Sequence, residues 1–547
     1  MEKVRASARL AAVLLCLAAS AATLGCSRGN TQADEAAQQG ILLVGNKIEP
    51  PTLDPQISTS GEVFNVDFAL FEGLTSPDPH SLEPVPAVAE SWELSPDGLR
   101  YTFHLRPDAC WSDGSALGSA DFMFSWERLL RPELASANAN LLFAVRGARD
   151  FNEGRAPDFG SVGISAPDAH TLCVELTAPT PWFLSILMHP SAAAMPRKSI
   201  ESAGKPFDRS SGWSRAPDML SNGPFAIVRW DPNSVIEVKK NPRYWDAGNV
   251  RLNGIRFLPI ESINTEAMAY QGGQLHVTQT VPINRVARLR DNADPALRVD
   301  HYLGVYYYVF NTRHPPLDNP DVRLALSLAI DRSSIVVNLL GGAQEPAVSF
   351  TPAGIRGYEP PRLCRTDVLK ARALMEKAGY PGGKGFPKLE LLFNTSENHR
   401  VIAEAVQAMW KENLGIEVEL RNEDFNSYIG TRNSGNFDIV RASWVADYPA
   451  AATFLDILRS GAGNNLSRWQ NADYDTFMDA AASAEDEATR NGFYAQAESL
   501  LLESAPVMPI YQYNTVRMIS PTVHGWYPTP MDWHPYKYLW LQGPSRP

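Results

Sequence analysis

Period-two and period-3.6 hydrophobic patterns alternate along almost the whole of this chain, and that alternation limits its fold more than any other feature. Ile41-Leu42-Leu43-Val44-Gly45 is the short apolar run of a buried strand. Leu99 to Leu105, Val235 to Val238 and Gly254 to Leu258 alternate as half-buried strands do. Helix patterns fall between them. Ser119 reads as the cap of a helix in which Phe122, Trp126 and Leu129 share a face, and Asp321 to Ile330 turns Val322, Ala325, Leu326 and Ala329 inward. Thr366 reads as the N-cap of a helix stopped by Gly379, and Asn398 to Leu414 as a longer amphipathic helix ended by Gly415. Strands from Ile416 to Leu420 and from Met508 to Tyr511 bracket a further helix over 488–503. Such interleaving predicts an α/β or α+β class with mixed sheets. With 547 residues the chain exceeds one ordinary core, so two or three lobes are expected.

The first 25 residues read as an export signal. Lys3, Arg5 and Arg9 precede an apolar run, Leu10 to Leu24, that is too short to span a membrane as a helix. The run closes on Thr23-Leu24-Gly25-Cys26, which is similar to a bacterial lipobox with its Leu one place nearer the Cys than usual. Lipidation of Cys26 is therefore expected, with residues 26–40 as a polar, flexible tether at a membrane face.

The net charge is −12, and removing residues 1–25 leaves −14. That balance argues against a nucleic-acid partner, which needs clustered Lys and Arg. Beyond Cys26 only Cys110, Cys173 and Cys364 remain, so at most one disulfide can form. No G-x-S-x-G elbow and no H-E-x-x-H is present, and the phosphate-loop-like Ala378 to Lys384 has Gly385 where Ser or Thr is needed. No catalytic residue, metal site or cofactor is expected. A long exported chain of this kind points to binding.

One segment carries chemistry. Phe437-Asp438-Ile439-Val440 leads as a strand into Arg441-Ala442-Ser443-Trp444-Val445-Ala446-Asp447-Tyr448, which begins with a cation and ends with an anion. A cavity that holds both ends of a zwitterion needs that combination. An aromatic-rich strand end with a surface salt bridge would have the same spacing.

Taken together, segments spread in order over residues 41–545 resemble the periplasmic oligopeptide-binding proteins, the solute-binding components of peptide ABC importers. They include Glu49-Pro50-Pro51-Thr52-Leu53-Asp54-Pro55, Leu70 to Leu74, Pro86 to Trp92, Trp111 to Gly114, Ser221 to Phe225 and Asn241 to Trp245. Tyr306 to Tyr308, Pro316 to Arg323, Asn394 to Ser396 and Trp444 to Tyr448 continue the series. The resemblance implies a three-lobed, class II-like binding protein with the ligand in a cleft between two lobes. One lobe would comprise residues 41–62, 190–302 and 513–547, an insert lobe 63–189, and a third lobe 303–512. It also implies a monomer that captures oligopeptides outside the cytoplasmic membrane and hands them to an ABC permease.

Carried over residue by residue, the resemblance implies that Asp447 takes the peptide ammonium. Arg432, Arg441 and His399 would meet the C-terminal carboxylate. Trp444 and Phe425 would wall the pocket, and Glu49 would lie near the ligand's N-terminal end. The chain departs from the pattern in three places. Gly304 and Val445 stand where a disulfide is usual, Pro449-Ala450-Ala451 follows Tyr448, and Asn138 falls near a position where a backbone-contacting Tyr is usual.

Overall fold

A computed structural model describes residues 30–215 and 219–543. The export segment and Cys26 lie outside them. The tether expectation is corrected for the residues just beyond: Gln32–Gln38 is a helix. Thr31 caps it and Asp34 closes a capping box. Ala33, Ala36 and Ala37 are buried, and His276 links the helix to the first strand by meeting Ala33 O at 2.9 Å and accepting Leu43 N–H at 3.0 Å. An all-alanine face among polar residues is easily missed in a hydrophobicity pattern.

Three larger sheets organise the rest. The first has four strands in the order Ile41–Gly45, Gly254–Leu258, Val235–Lys240, Phe225–Asp231. The second has four strands, Ala89–Leu94, Arg100–Leu105, Thr171–Glu175, Ile164–Asp168. Each has its own apolar core, with Phe122, Trp126 and Leu129 of the helix Ser119–Leu130 in that of the second. That helix is capped by Gly118, not Ser119. Asp121 accepts the Gly118 N–H at 2.9 Å, while the Ser119 hydroxyl donates to Asp168 O. Likewise Asp367 caps Val368–Lys377 and Thr366 donates to Ile330 O at 2.7 Å. At the second helix the Asp367 carboxylate, not the Thr366 hydroxyl, takes the free first-turn amide of Lys370, whereas at the first the Asp121 carboxylate takes the N–H of the cap residue itself.

The third sheet positions the site. Its six strands run Glu345–Pro346, Val507–Met518, Leu297–Phe310, Ile439–Val445, Leu389–Asn394, Val418–Glu423. Two cores cover its faces, one with Tyr307, Tyr428 and Phe454, the other with Tyr306, Tyr308 and Trp410. The long strands Leu297–Phe310 and Val507–Met518 pair from Leu297↔Met518 to Val309↔Val507, with irregular register between His301 and Val305. Ile519 N–H then donates to Ala296 O, and Val277 bridges Ile519 and Val44, so these strands lead from the third sheet into the first. Mixed parallel and antiparallel pairing makes this the expected α/β fold. Cys110, Cys173 and Cys364 are all free thiols.

Candidate functional site

Ile439–Val445 pairs on one side with Leu297–Phe310, from Phe310↔Ile439 to Gly304↔Val445. On its other side Leu389–Asn394 pairs with it only at Ile439 and Val440. Ala446 N–H donates to Leu303 O, which fixes the alternation of the ladder: Ser443 and Val445 turn their N–H and C=O away from the paired side. There the neighbouring strand has already diverged. A stretch of unpaired strand edge results, and such an edge is a template for an added strand.

Two cavities flank this edge and share Ser443 and Trp444. One, of about 410 Å³, is lined by Trp444 to Asp447, Met531 and Trp533 from the third sheet and its core, and by Phe64, Phe68 and His189 from the other side. It thus lies between the third sheet and elements of the first. The other, about 340 Å³, is lined by Tyr307, Arg432, Asn433, Asn464 and Arg468.

Asp447 follows the strand and is held by Thr453, whose hydroxyl takes its N–H at 3.1 Å and approaches its carboxylate at 3.4 Å. Burial pushes the carboxyl up to about 6, and the Thr453 bond only partly opposes it. Among the described residues no Lys or Arg lines its cavity. Pro449-Ala450-Ala451 leads into the helix Ala452–Leu455, whose residues pack in the core and supply Thr453. The altered segment therefore supports Asp447. Tyr448 stacks on Trp182 at 5.8 Å, joining the third sheet's core to the segment that follows the second sheet.

Arg441 lies on the opposite face from Trp444. Its guanidinium sits 4.7 Å over Tyr306 and donates to Tyr513 Oη at 3.3 Å, while its Nε has no partner among the described residues. His399, in the first turn of Glu397–Leu414, joins it through Tyr306 Oη at 3.4 Å. Burial first, then the Arg441 charge, lower the His399 pKa to about 3, so its ring is neutral near pH 7. Arg432, on Phe425–Ser434, lies over Tyr428, whose hydroxyl in turn donates to Arg441 O.

The structure thus brings Asp447 and Trp444 to one cavity, Arg432 and Trp444 to the other, and Arg441 and His399 together behind the same edge. Phe425 is exposed, packs on Tyr428 and lines neither cavity. Glu49 is engaged elsewhere, accepting Trp230 Nε1–H at 2.6 Å and Asn233 N–H at 3.2 Å. Asn138 donates to Pro55 O, Ser58 O and Ser191 Oγ, pinning the loop after Glu49. His189, Trp533 and Arg468 escape sequence reading because each lies on an irregular segment with no local signature. Among the described residues no cluster of His, Cys, Asp or Glu could hold a metal ion, and no helix is long and apolar enough to cross a membrane.

An α/β molecule with an unpaired strand edge between cavities of opposite charge is built as a cleft-type solute-binding protein. The chain belongs to the bacterial extracellular solute-binding proteins, family 5, whose middle region matches residues 83–466. It is 37% identical over 499 residues to the periplasmic murein peptide-binding protein MppA of Escherichia coli (90% of this chain, 91% of that one). It is 34% identical over 519 residues to the periplasmic oligopeptide-binding protein OppA of Salmonella typhimurium (93% of each chain). The crystal structure of Haemophilus influenzae OppA in complex with RPPGFSPFR superposes with a TM-score of 0.79 at 32% identity, covering 92% of this chain and 99% of that one.

Proposed function

We propose that this protein is the extracytoplasmic receptor of a peptide ABC importer, capturing oligopeptides in its cleft and delivering them to a permease. The carrying observation is the open edge of Ile439–Val445 between a cavity holding Asp447 and one holding Arg432. A peptide backbone adds to that edge by hydrogen bonds to Ser443 and Val445. Its ammonium meets Asp447, and its carboxylate lies at the Ala442 end, within reach of Arg432 on one face or Arg441 and His399 on the other. The bound chain therefore runs antiparallel to the strand. Arg suits the task because its fork binds a carboxylate bidentately. The names of the relatives, murein peptide-binding and oligopeptide-binding, support the same solute class.

In this reading the first lobe comprises residues 41–62, 190–302 and 513–547, the insert 63–189 and the third lobe 303–512. The two long crossing strands form the hinge. The protein works as a periplasmic monomer anchored through lipidated Cys26, and it makes and breaks no bonds. Micromolar affinity, about −8 kcal/mol, comes from backbone hydrogen bonds and the two charged ends.

Native mass spectrometry of residues 27–547 purified from a bacterial periplasm tests this. A set of added masses fitting short peptides, lost on denaturation, is expected. A single non-peptide mass would redirect the reading to another solute on the same fold.

A further inference from the structure

The carboxylate end of the cleft holds more positive charge than one terminal carboxylate neutralises. Arg441 lies on one face of the strand; Arg432 and Arg468 share the cavity on the other. Among the described residues no Asp or Glu lines that cavity, and Asn433 and Asn464 add further polar groups. Arg468 donates to Asn433 O at 3.2 Å and Arg432 to Asn433 Oδ1 at 3.2 Å, so both guanidiniums are held by neutral partners.

Arg468 is also placed at a backbone cost. Its φ is 61°, the left-handed region that favours glycine. The turn that imposes this is tied by hydrogen bonds. Buried Asn465 donates to Leu458 O, Arg459 O and Trp469 O, and the Ser467 hydroxyl donates to Asn465. A long, charged side chain carried on a strained backbone position points to a use for the side chain.

We propose that Arg468 and Arg432 form an anion subsite for an acidic side chain of the bound peptide, while Arg441 takes the terminal carboxylate. The two faces of the strand make this possible, because alternate groups of an extended ligand project to opposite sides. Peptides with Glu or Asp at or next to their C-terminus are therefore the preferred solutes. This rests on the peptide reading above.

The test is titration calorimetry of ligand-stripped protein with Ala-Ala-Ala, Ala-Glu-Ala and Ala-Ala-Glu, on wild type, Arg468→Gln and Arg468→Lys, each with a melting curve to verify folding. At least one acidic peptide is expected to bind wild type about tenfold tighter than Ala-Ala-Ala. Arg468→Gln should bring that ratio near one with Ala-Ala-Ala little changed, and Arg468→Lys should keep part of it. Equal binding of all three by wild type, or an undiminished ratio in folded Arg468→Gln, overturns the subsite alone. Failure of all three to bind wild type overturns the peptide reading, and the subsite with it.

Discussion

The two ends of the cleft handle charge in opposite ways. Asp447 is a carboxylate in an aromatic-rich cavity whose other carboxylate, Asp532, is paired with Arg517; it is held by a hydroxyl and a backbone turn, and burial raises its pKa to about 6. The arginines lie over tyrosine rings and donate to neutral oxygens, as weakly hydrated guanidiniums can. An isolated carboxylate has no such alternative partner. In the proposed function the anionic end therefore depends most on one incoming ammonium, whereas the cationic end spreads recognition over several donors.

The comparison predicts unequal losses. Asp447→Ala should weaken tripeptide binding by about 2–5 kcal/mol, measured by calorimetry, because Asp532, the other carboxylate of its cavity, is already taken by Arg517 and His534. Unchanged affinity would remove Asp447 from the site. Arg441→Met should cost less, about 1.5–3 kcal/mol, since Arg432 lies across the same strand. An equal or larger loss would mean the cations do not share the task.

pH separates binding from stability at Asp447. Only the ionised carboxylate attracts an ammonium, so affinity should hold above about pH 6 and fall below it, by up to about tenfold per pH unit. Ligand-free stability has the opposite sign. The raised folded pKa contributes stability that is full below the unfolded value of 3.8 and is lost as pH rises through about 6. Asp447→Asn should then raise the melting temperature at pH 8 by roughly a few degrees and leave it unchanged near pH 3. A rise of the same size at both values would point to packing instead. The smallest effect expected is from Thr453→Val, about 1 kcal/mol of stability. It should also move the midpoint of the affinity–pH curve upward, because the lost hydrogen bond lowers the Asp447 pKa. A downward shift would contradict that.

Much of this was legible in order and type. The helix Glu397–Leu414 shows its buried face as Ile402, Val406, Trp410 and Leu414, four residues apart, and its end as left-handed Gly415. The 441–448 segment announced a cation, an aromatic and an anion close together at one strand end. Caps were less legible. Where Ser119 and Thr366 sit beside Gly118 and Asp367, composition alone cannot say which residue starts the helix. The docked helix Gln32–Gln38 was hidden because alanine is equally at home on a surface.

The sequence by itself determined the alternation of strands and helices, the absence of known catalytic signatures and the charged ends of the segment at 441–448, because these are local properties of residue spacing. Only the tertiary structure decided that Arg441 and Arg432 lie on opposite faces, and that Glu49 is occupied by Trp230 and Asn233. It alone left the edge at Ser443 and Val445 without a strand. The reason is physical: where a neighbouring strand diverges, and which side chain reaches a carboxylate first, depend on contacts between residues about 50 to 180 positions apart.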